Sequence, residues 1–128
     1  MARILIVDDD VNLLASLRSI LEDEGHEVEE EVDGARALRR FAGHPSDLVI
    51  TDVYMPEMNG IEFAMRVHEA FPEAKIIGMS GGGFLPGESV LEALQALGAV
   101  GRLEKPLDAD EVTRVVKSAL GEMTTSED

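Results

Sequence analysis

Ile4-Leu5-Ile6-Val7-Asp8-Asp9-Asp10 sets an uninterrupted apolar run directly before three carboxylates, and the fold follows from how that junction is read. Four consecutive apolar residues, mostly β-branched, have strand length and no polar alternation, so they suit a strand buried on both faces. The same signature returns at Leu48 to Ile50 and at Ile76 to Met79. Two further strand candidates are more polar: Glu27 to Val32, containing Glu29-Glu30-Glu31, and Val100 to Glu104, with Arg102 at its centre. Charges of that kind belong at sheet edges.

The intervening segments carry helical spacing. Leu14, Leu17 and Leu21; Ile61, Ala64, Met65 and His68; Val90, Leu91, Leu94 and Leu97; and Val112, Val115, Val116 and Ala119 recur at three or four residues. A shorter helix is predicted from about Ala35 to Phe41, between Asp33 and Gly43. Gly25, Gly98 and Gly121 stand after helices, Pro72 follows the third, and Asp108 with Glu111 resembles a capping box. The pattern is βα repeated five times, which implies an α/β fold with a parallel sheet wrapped by five helices. With the apolar strands central and the polar ones at the edges, the expected order is 2-1-3-4-5, a doubly wound, flavodoxin-like sheet.

At 128 residues the chain fits one domain, expected over 1–121. Residues 122–128 have no apolar period and are expected to form a disordered acidic tail. No apolar run approaches the roughly 20 residues of a membrane-spanning helix. The first strand follows Met1 too closely for a signal peptide. A cytoplasmic location is therefore expected. The absence of cysteine excludes thiolate chemistry and Cys-ligated metals. A formal charge of −15 repels phosphate backbones and anionic lipid, so neither nucleic acid nor membrane is expected as a partner. A plain solvated surface accounts for most of that charge.

In an open α/β sheet, ligands bind beyond the carboxyl ends of the strands where strand order reverses, here between the first and third strands. The polar residues at those ends are Asp8, Asp9 and Asp10, then Asp52, Ser80 and Lys105. Gathered carboxylates repel: two charges ~5 Å apart cost about 3 kcal/mol at an effective dielectric of ~20. Mg²⁺ suits such a site, because it accepts a few carboxylates and is completed by water and phosphate oxygens. With Asp8 and Asp9 on the metal, Asp52 is left as a nucleophile able to form an aspartyl phosphate. Lys105 supplies a point charge for the phosphate and Ser80 a hydroxyl donor.

Leu5-Ile6-Val7-Asp8-Asp9-Asp10, Asp52-Val53-Tyr54-Met55-Pro56-Glu57-Met58-Asn59-Gly60, Ser80 and Lys105-Pro106 together resemble the receiver domain of bacterial two-component response regulators. The similarity spans nearly the whole chain. It implies Asp52 as phosphoacceptor, and Asp8 and Asp9 as the acidic pair for Mg²⁺, with Asp9 the more direct ligand. Asp52 and the Tyr54 backbone carbonyl would also face the metal. By the same resemblance Ser80 follows the phosphoryl group and Lys105 contacts it, and the Lys105-Pro106 bond is often cis. The implied phosphodonor is a histidine kinase or phosphotransfer protein. Output is implied through a docking face of the fourth helix, fifth strand and fifth helix, displaying Glu88, Glu92, Gln95, Arg102, Arg114 and Lys117. That face would engage an unknown downstream protein, with the chain a monomer or a phosphorylation-dependent homodimer. Such a protein is a switch that assists its own phosphorylation and dephosphorylation rather than a metabolic enzyme. Because the sequence stops just after the fifth helix, an attached output module is not expected.

Two departures stand out. Arg102 occupies the place where the family usually carries an aromatic residue, which removes the side chain that an aromatic readout would use. Gly81-Gly82-Gly83, before Phe84-Leu85-Pro86-Gly87, lowers the cost of rearranging the loop after the fourth strand, which Ser80 is expected to order on phosphorylation.

Two other functions remain open at this point. Asp8-Asp9-Asp10 also reads as the DxD of a haloacid dehalogenase-type phosphatase, with Asp8 as nucleophile. The fold could also serve as a receiver-like interaction module that is never phosphorylated. Taken alone, the three aspartates could be no more than a helix cap, and Asp10 is expected to be one. His26, His44 and His68 are scattered and show no ligand spacing, and Met55, Met58 and Met65 are expected to pack.

Overall fold

Apolar strands of this length are buried only when both faces of their sheet are covered, and the chain supplies the cover from the helices between strands. The computed structural model describes residues 2–52, 60–81, 95–96 and 99–121. Its strands are β1 (Arg3–Val7), β2 (Glu27–Glu31), β3 (Leu48–Asp52), β4 (Lys75–Gly81) and β5 (Ala99–Lys105). Its helices are α1 (Val11–Asp23), α2 (Gly34–Gly43), α3 (Gly60–Ala70) and α4 (Ala109–Ala119), the last being the helix read as the fifth. These are the four helices among the described residues. The helix predicted at Val90 to Leu97 lies outside them, except for Gln95 and Ala96, which are helical.

All strand pairs are parallel, and the order is β2-β1-β3-β4-β5, as the placement of polar strands at the edges required. Side-chain alternation divides the core into two layers. Ile4, Ile6, Ile50 and Leu103 pack with Leu14, Leu17 and Leu21 of α1 and Val112 and Val116 of α4. Leu5, Val7, Val49 and Ile76 pack on the other face with Phe41 of α2 and Phe63, Ala64 and Val67 of α3. Phe41 and Phe71 meet edge to face, with ring centroids 5.1 Å apart.

The predicted caps form. Asp10, Asp33 and Asp108 each accept backbone N–H groups at the start of α1, α2 and α4, at 2.8–3.2 Å. Gly25 follows α1 with φ 91°, a conformation that costs a side-chain-bearing residue more. Edge strand β2 is held from both sides. Arg18 of α1 reaches Glu30 at 2.7 Å and the Val28 carbonyl at 2.9 Å, while Arg40 of α2 reaches Glu31 at 2.8 Å.

Some boundaries and faces differ from expectation. β3, β4 and β5 run longer than their apolar runs, because ladder pairing continues through Asp52↔Met79 and Gly81↔Lys105. β2 stops at Glu31, leaving Val32 outside it. The buried stripe of α3 is Phe63, Ala64 and Val67, and Met65 is 43% exposed instead of packing. Phe63 and Val67 bury more apolar surface than Met65 and His68 would, and this sets the rotation of the helix. Met55 and Met58 lie outside the described residues, as does the tail 122–128. Among the described residues no helix is long and apolar enough to cross a membrane.

Gly101 lets α4 lie close against β5. A Cβ there would meet Val115 Cγ1 at 3.0 Å and Ile77 at 3.6 Å.

Ile50 is wholly buried at the centre of the sheet, so Ile50→Ala is expected to cost about 2–5 kcal/mol in urea denaturation. Val100→Ala on the exposed edge should change stability by no more than about 0.5 kcal/mol.

Candidate functional site

Three strands end at the same rim, and alternation decides which way their last side chains point. Asp8 lies two residues beyond Ile6, Asp52 two beyond Ile50 and Lys105 two beyond Leu103, so all three share the side of those core residues. The register pairs Val7 with Thr51 and Asp52 with Met79, which sets Asp8 and Asp52 level on neighbouring strands. Lys105 pairs with Gly81, two residues further out, and its long side chain reaches back across β4.

The resulting contacts are short. Lys105 Nζ lies 2.8 Å from Asp8 Oδ2 and 3.4 Å from Asp52 Oδ1. Asp8 is fully buried and Asp52 is 5% exposed, whereas Asp9 is exposed. One carboxylate oxygen from each of Asp8, Asp9 and Asp52 lies within 4.8 Å of the other two. The three consecutive aspartates therefore have separate tasks. Asp8 Oδ1 accepts the Asp10 N–H at 2.9 Å, which fixes that carboxylate in a tight turn, and the Asp8 N–H donates to the Glu31 carbonyl at 3.2 Å. Asp9 points its charge at solvent beside them. Asp10 caps α1.

Among the described residues, three carboxylates share the rim with one ammonium, and one of the carboxylates, Asp8, is wholly buried. The donor set consists of hard oxygens only, which fits a hard divalent cation. Oxygens sharing one octahedral Mg²⁺ stand about 3–4 Å apart, and the three carboxylate oxygens here lie within 4.8 Å of one another. The cluster could thus hold a metal.

Burial of Lys105 works against its charge, but hydrogen bonding to Asp8 and the charges of Asp52 and Asp8 together outweigh that cost and raise its pKa above the ordinary 10.5.

Of the residues singled out in the sequence, Asp8, Asp9, Asp52 and Lys105 converge. Ser80, half-buried on β4, sits one residue beyond Met79, the ladder partner of Asp52, and is itself paired with Glu104. Tyr54 and the loop 82–87 lie outside the described residues. The Lys105-Pro106 bond is cis. His26, His44 and His68 lie away from the rim elements; His26 Nδ1 accepts the Ala2 N–H at the opposite end of β1. Two supporting contacts had no signal in the sequence: the Asp8–Asp10 turn, and the bond that buried Thr51 Oγ1 donates to the Asp52 carbonyl at 3.0 Å.

The response regulator receiver domain family matches residues 4–117. The chain is 37% identical over 119 residues to a chemotaxis protein, CheY, of Bacillus subtilis, covering 92% of this chain and 97% of that one. It is 36% identical over 125 residues to the DNA-binding transcriptional regulator NtrC of Azospirillum brasilense, covering 96% of this chain but only 25% of that protein. Among solved structures, a CheY-like response regulator receiver domain protein from Methanospirillum hungatei superposes with a TM-score of 0.86 at 30% identity, covering 98% of each chain.

A lysine whose pKa is raised on folding stabilises the fold fully below its unfolded value and loses that contribution as pH rises through the folded one. The stability difference between wild type and Lys105→Met, measured by urea denaturation, is therefore expected to be constant at lower pH and to shrink as pH rises beyond 10.5.

Proposed function

The chain belongs to the response regulator receiver domain family, whose members serve phosphoryl-accepting signal transduction, and from this we infer that Asp52 is the residue that accepts the phosphoryl group. The observation that carries the inference is the setting of Asp52: a nearly buried carboxylate at the end of a central strand, 3.4 Å from the Lys105 ammonium and beside two further carboxylates.

Phosphoryl transfer asks a protein mainly for positioning and neutralisation of charge. A histidine kinase or phosphotransfer protein presents a phosphohistidine at the rim. An Asp52 carboxylate oxygen attacks phosphorus in line, the O–P bond forms, the N–P bond breaks, and the departing imidazole nitrogen keeps the electron pair. No general base is needed, since the carboxylate attacks ionised. Lys105 Nζ already stands between Asp8 and Asp52 and can follow the charge from the carboxylate to the incoming phosphoryl oxygens. Asp8, Asp9, Asp52 and the Tyr54 carbonyl would hold Mg²⁺, which when bound supplies positive charge to the phosphoryl oxygens. Ser80 would donate its hydroxyl to the transferred group, and water attack on the acyl phosphate would later restore Asp52. The domain thereby assists its own phosphorylation and dephosphorylation as a switch, without turning over a metabolite.

The acidic surface and the lack of a membrane-spanning helix among the described residues support a cytoplasmic setting. Output would pass through the face of the predicted fourth helix, β5 and α4 to a downstream protein or to a second copy.

A phosphatase using Asp8 as nucleophile fits the geometry less well. Both oxygens of Asp8 are engaged, one by the Asp10 N–H and the other by Lys105 Nζ, and the residue has no exposed surface.

Incubation with acetyl phosphate and Mg²⁺ followed by intact-mass spectrometry is expected to add one phosphoryl mass to the wild type and none to Asp52→Ala, with the gain abolished by a chelator. Labelling that persists in Asp52→Ala but disappears in Asp8→Asn would overturn the assignment. A chain never labelled, whose function survives Asp52→Asn, would point to a phosphorylation-independent interaction module.

A further inference from the structure

Thr51 is a polar residue in an apolar place. It follows Leu48, Val49 and Ile50 on the central strand β3 and has no exposed surface. Its ladder partners are Val7 on β1 and Gly78 on β4, which offer no polar side chain. Packing alone calls for valine here, which has the same branched shape and brings no group that needs a hydrogen bond. The buried hydroxyl requires a partner, and it has one: Thr51 Oγ1 donates to the Asp52 carbonyl at 3.0 Å.

Alternation sets what this bond can do. Thr51 lies two residues beyond Val49 and shares its face, toward α2 and α3, whereas Asp52 lies two beyond Ile50 and faces the other way. The hydroxyl and the Asp52 carboxylate are on opposite sides of the sheet, so Thr51 cannot meet a phosphoryl group carried by that carboxylate. It acts on the backbone instead. Asp52 closes β3, paired with Met79. Ladder pairing restrains the chain up to Asp52, and the Thr51 hydroxyl restrains the peptide that leaves it. The Cα that bears the carboxylate is thus held from both sides.

We propose that Thr51 is a positioning residue for phosphoryl transfer, its hydroxyl clamping the Asp52 carbonyl and so fixing the direction from which the Asp52 carboxylate approaches phosphorus. The proposal rests on the reading that Asp52 is the phosphoacceptor, and it names what aims it. In-line attack depends on alignment of the attacking oxygen, phosphorus and leaving atom, and a misplacement of about 1 Å can cost on the order of a hundredfold in rate. Lys105 Nζ, 3.4 Å from Asp52 Oδ1, steadies the carboxylate at its far end. Thr51 steadies it at its root.

The full chain and its Thr51→Val and Thr51→Ser variants are labelled with acetyl phosphate and Mg²⁺ and followed by time-resolved intact-mass spectrometry, with peptide mapping of the labelled residue. In this reaction an Asp52 oxygen bonds to phosphorus as the bond from phosphorus to acetate breaks, and acetate leaves with the electron pair. Thr51→Val is expected to lower the maximal labelling rate about tenfold and to leave the acetyl phosphate concentration at half-maximal rate within about twofold, because the clamp aims the nucleophile and does not bind the donor. Thr51→Ser keeps the oxygen and is expected to recover the wild-type rate. The Asp52 carbonyl ¹³C resonance should move upfield in Thr51→Val, as a carbonyl does on losing a hydrogen bond. A wild-type rate in Thr51→Val, a Thr51→Ser variant as slow as Thr51→Val, or an unmoved carbonyl resonance would overturn the proposal. If Thr51→Val does not fold, Thr51→Ala takes its place, since it differs from Thr51→Ser by the oxygen alone. Equal rates with the label on Asp52 remove the clamp and leave the phosphoacceptor assignment standing, whereas label on another residue of the wild type removes both.

Discussion

The ammonium of Lys105, set between Asp8 at 2.8 Å and Asp52 at 3.4 Å, is the contact on which the rim depends. Without it, β1 and β3 would end in buried like charges on adjacent strands, and the desolvation cost of each would rise with the other's presence. Lys105 can serve only because β5 lies next to β4 in a register that brings its last residue to the same rim. Strand order, register and charge are therefore one arrangement. Among the described residues one ammonium faces three carboxylates, a set of hard oxygen donors that could hold a divalent cation.

Much of this was legible in the sequence, for identifiable reasons. Ile4 to Val7 and Leu48 to Ile50 are apolar at every position because helices cover both faces, so burial pattern and strand order could be read together. Asp8, Asp52 and Lys105 could be placed on one rim because each follows an apolar run or closes a strand. What escaped was set by pairing between distant segments. The continuation of β4 through Ser80 and Gly81 depends on Glu104 and Lys105, which no local pattern reveals. The rotation of α3 was misread because Ile61, Ala64, Met65 and His68 offer a helical stripe nearly as regular as the one that Phe63 and Val67 bury. The separate tasks of Asp8, Asp9 and Asp10 are invisible in a run of three identical residues, and only the Asp10 N–H bond to Asp8 distinguishes them.

The edge strands show how acidic composition is reconciled with a parallel sheet. Glu29, Glu30 and Glu31 in β2 would repel one another and the rim beyond, yet alternation sends Glu30 toward Arg18 and Glu31 toward Arg40 on opposite faces. Such half-exposed pairs contribute little stability each, ~1 kcal/mol or less. Their larger effect is to hold charged groups along an open edge, which discourages pairing with another chain.

At Gly101 only a hydrogen atom separates β5 from Val115 of α4, and even a methyl group would come within 3.0 Å of that side chain. A side chain at this position would have to push strand and helix apart, so the close seating of α4 on the strand that ends in Lys105 depends on the smallest residue. One strand therefore joins two settings, the acidic rim that its last lysine reaches and the solvent that Val100, Arg102 and Glu104 face along its length.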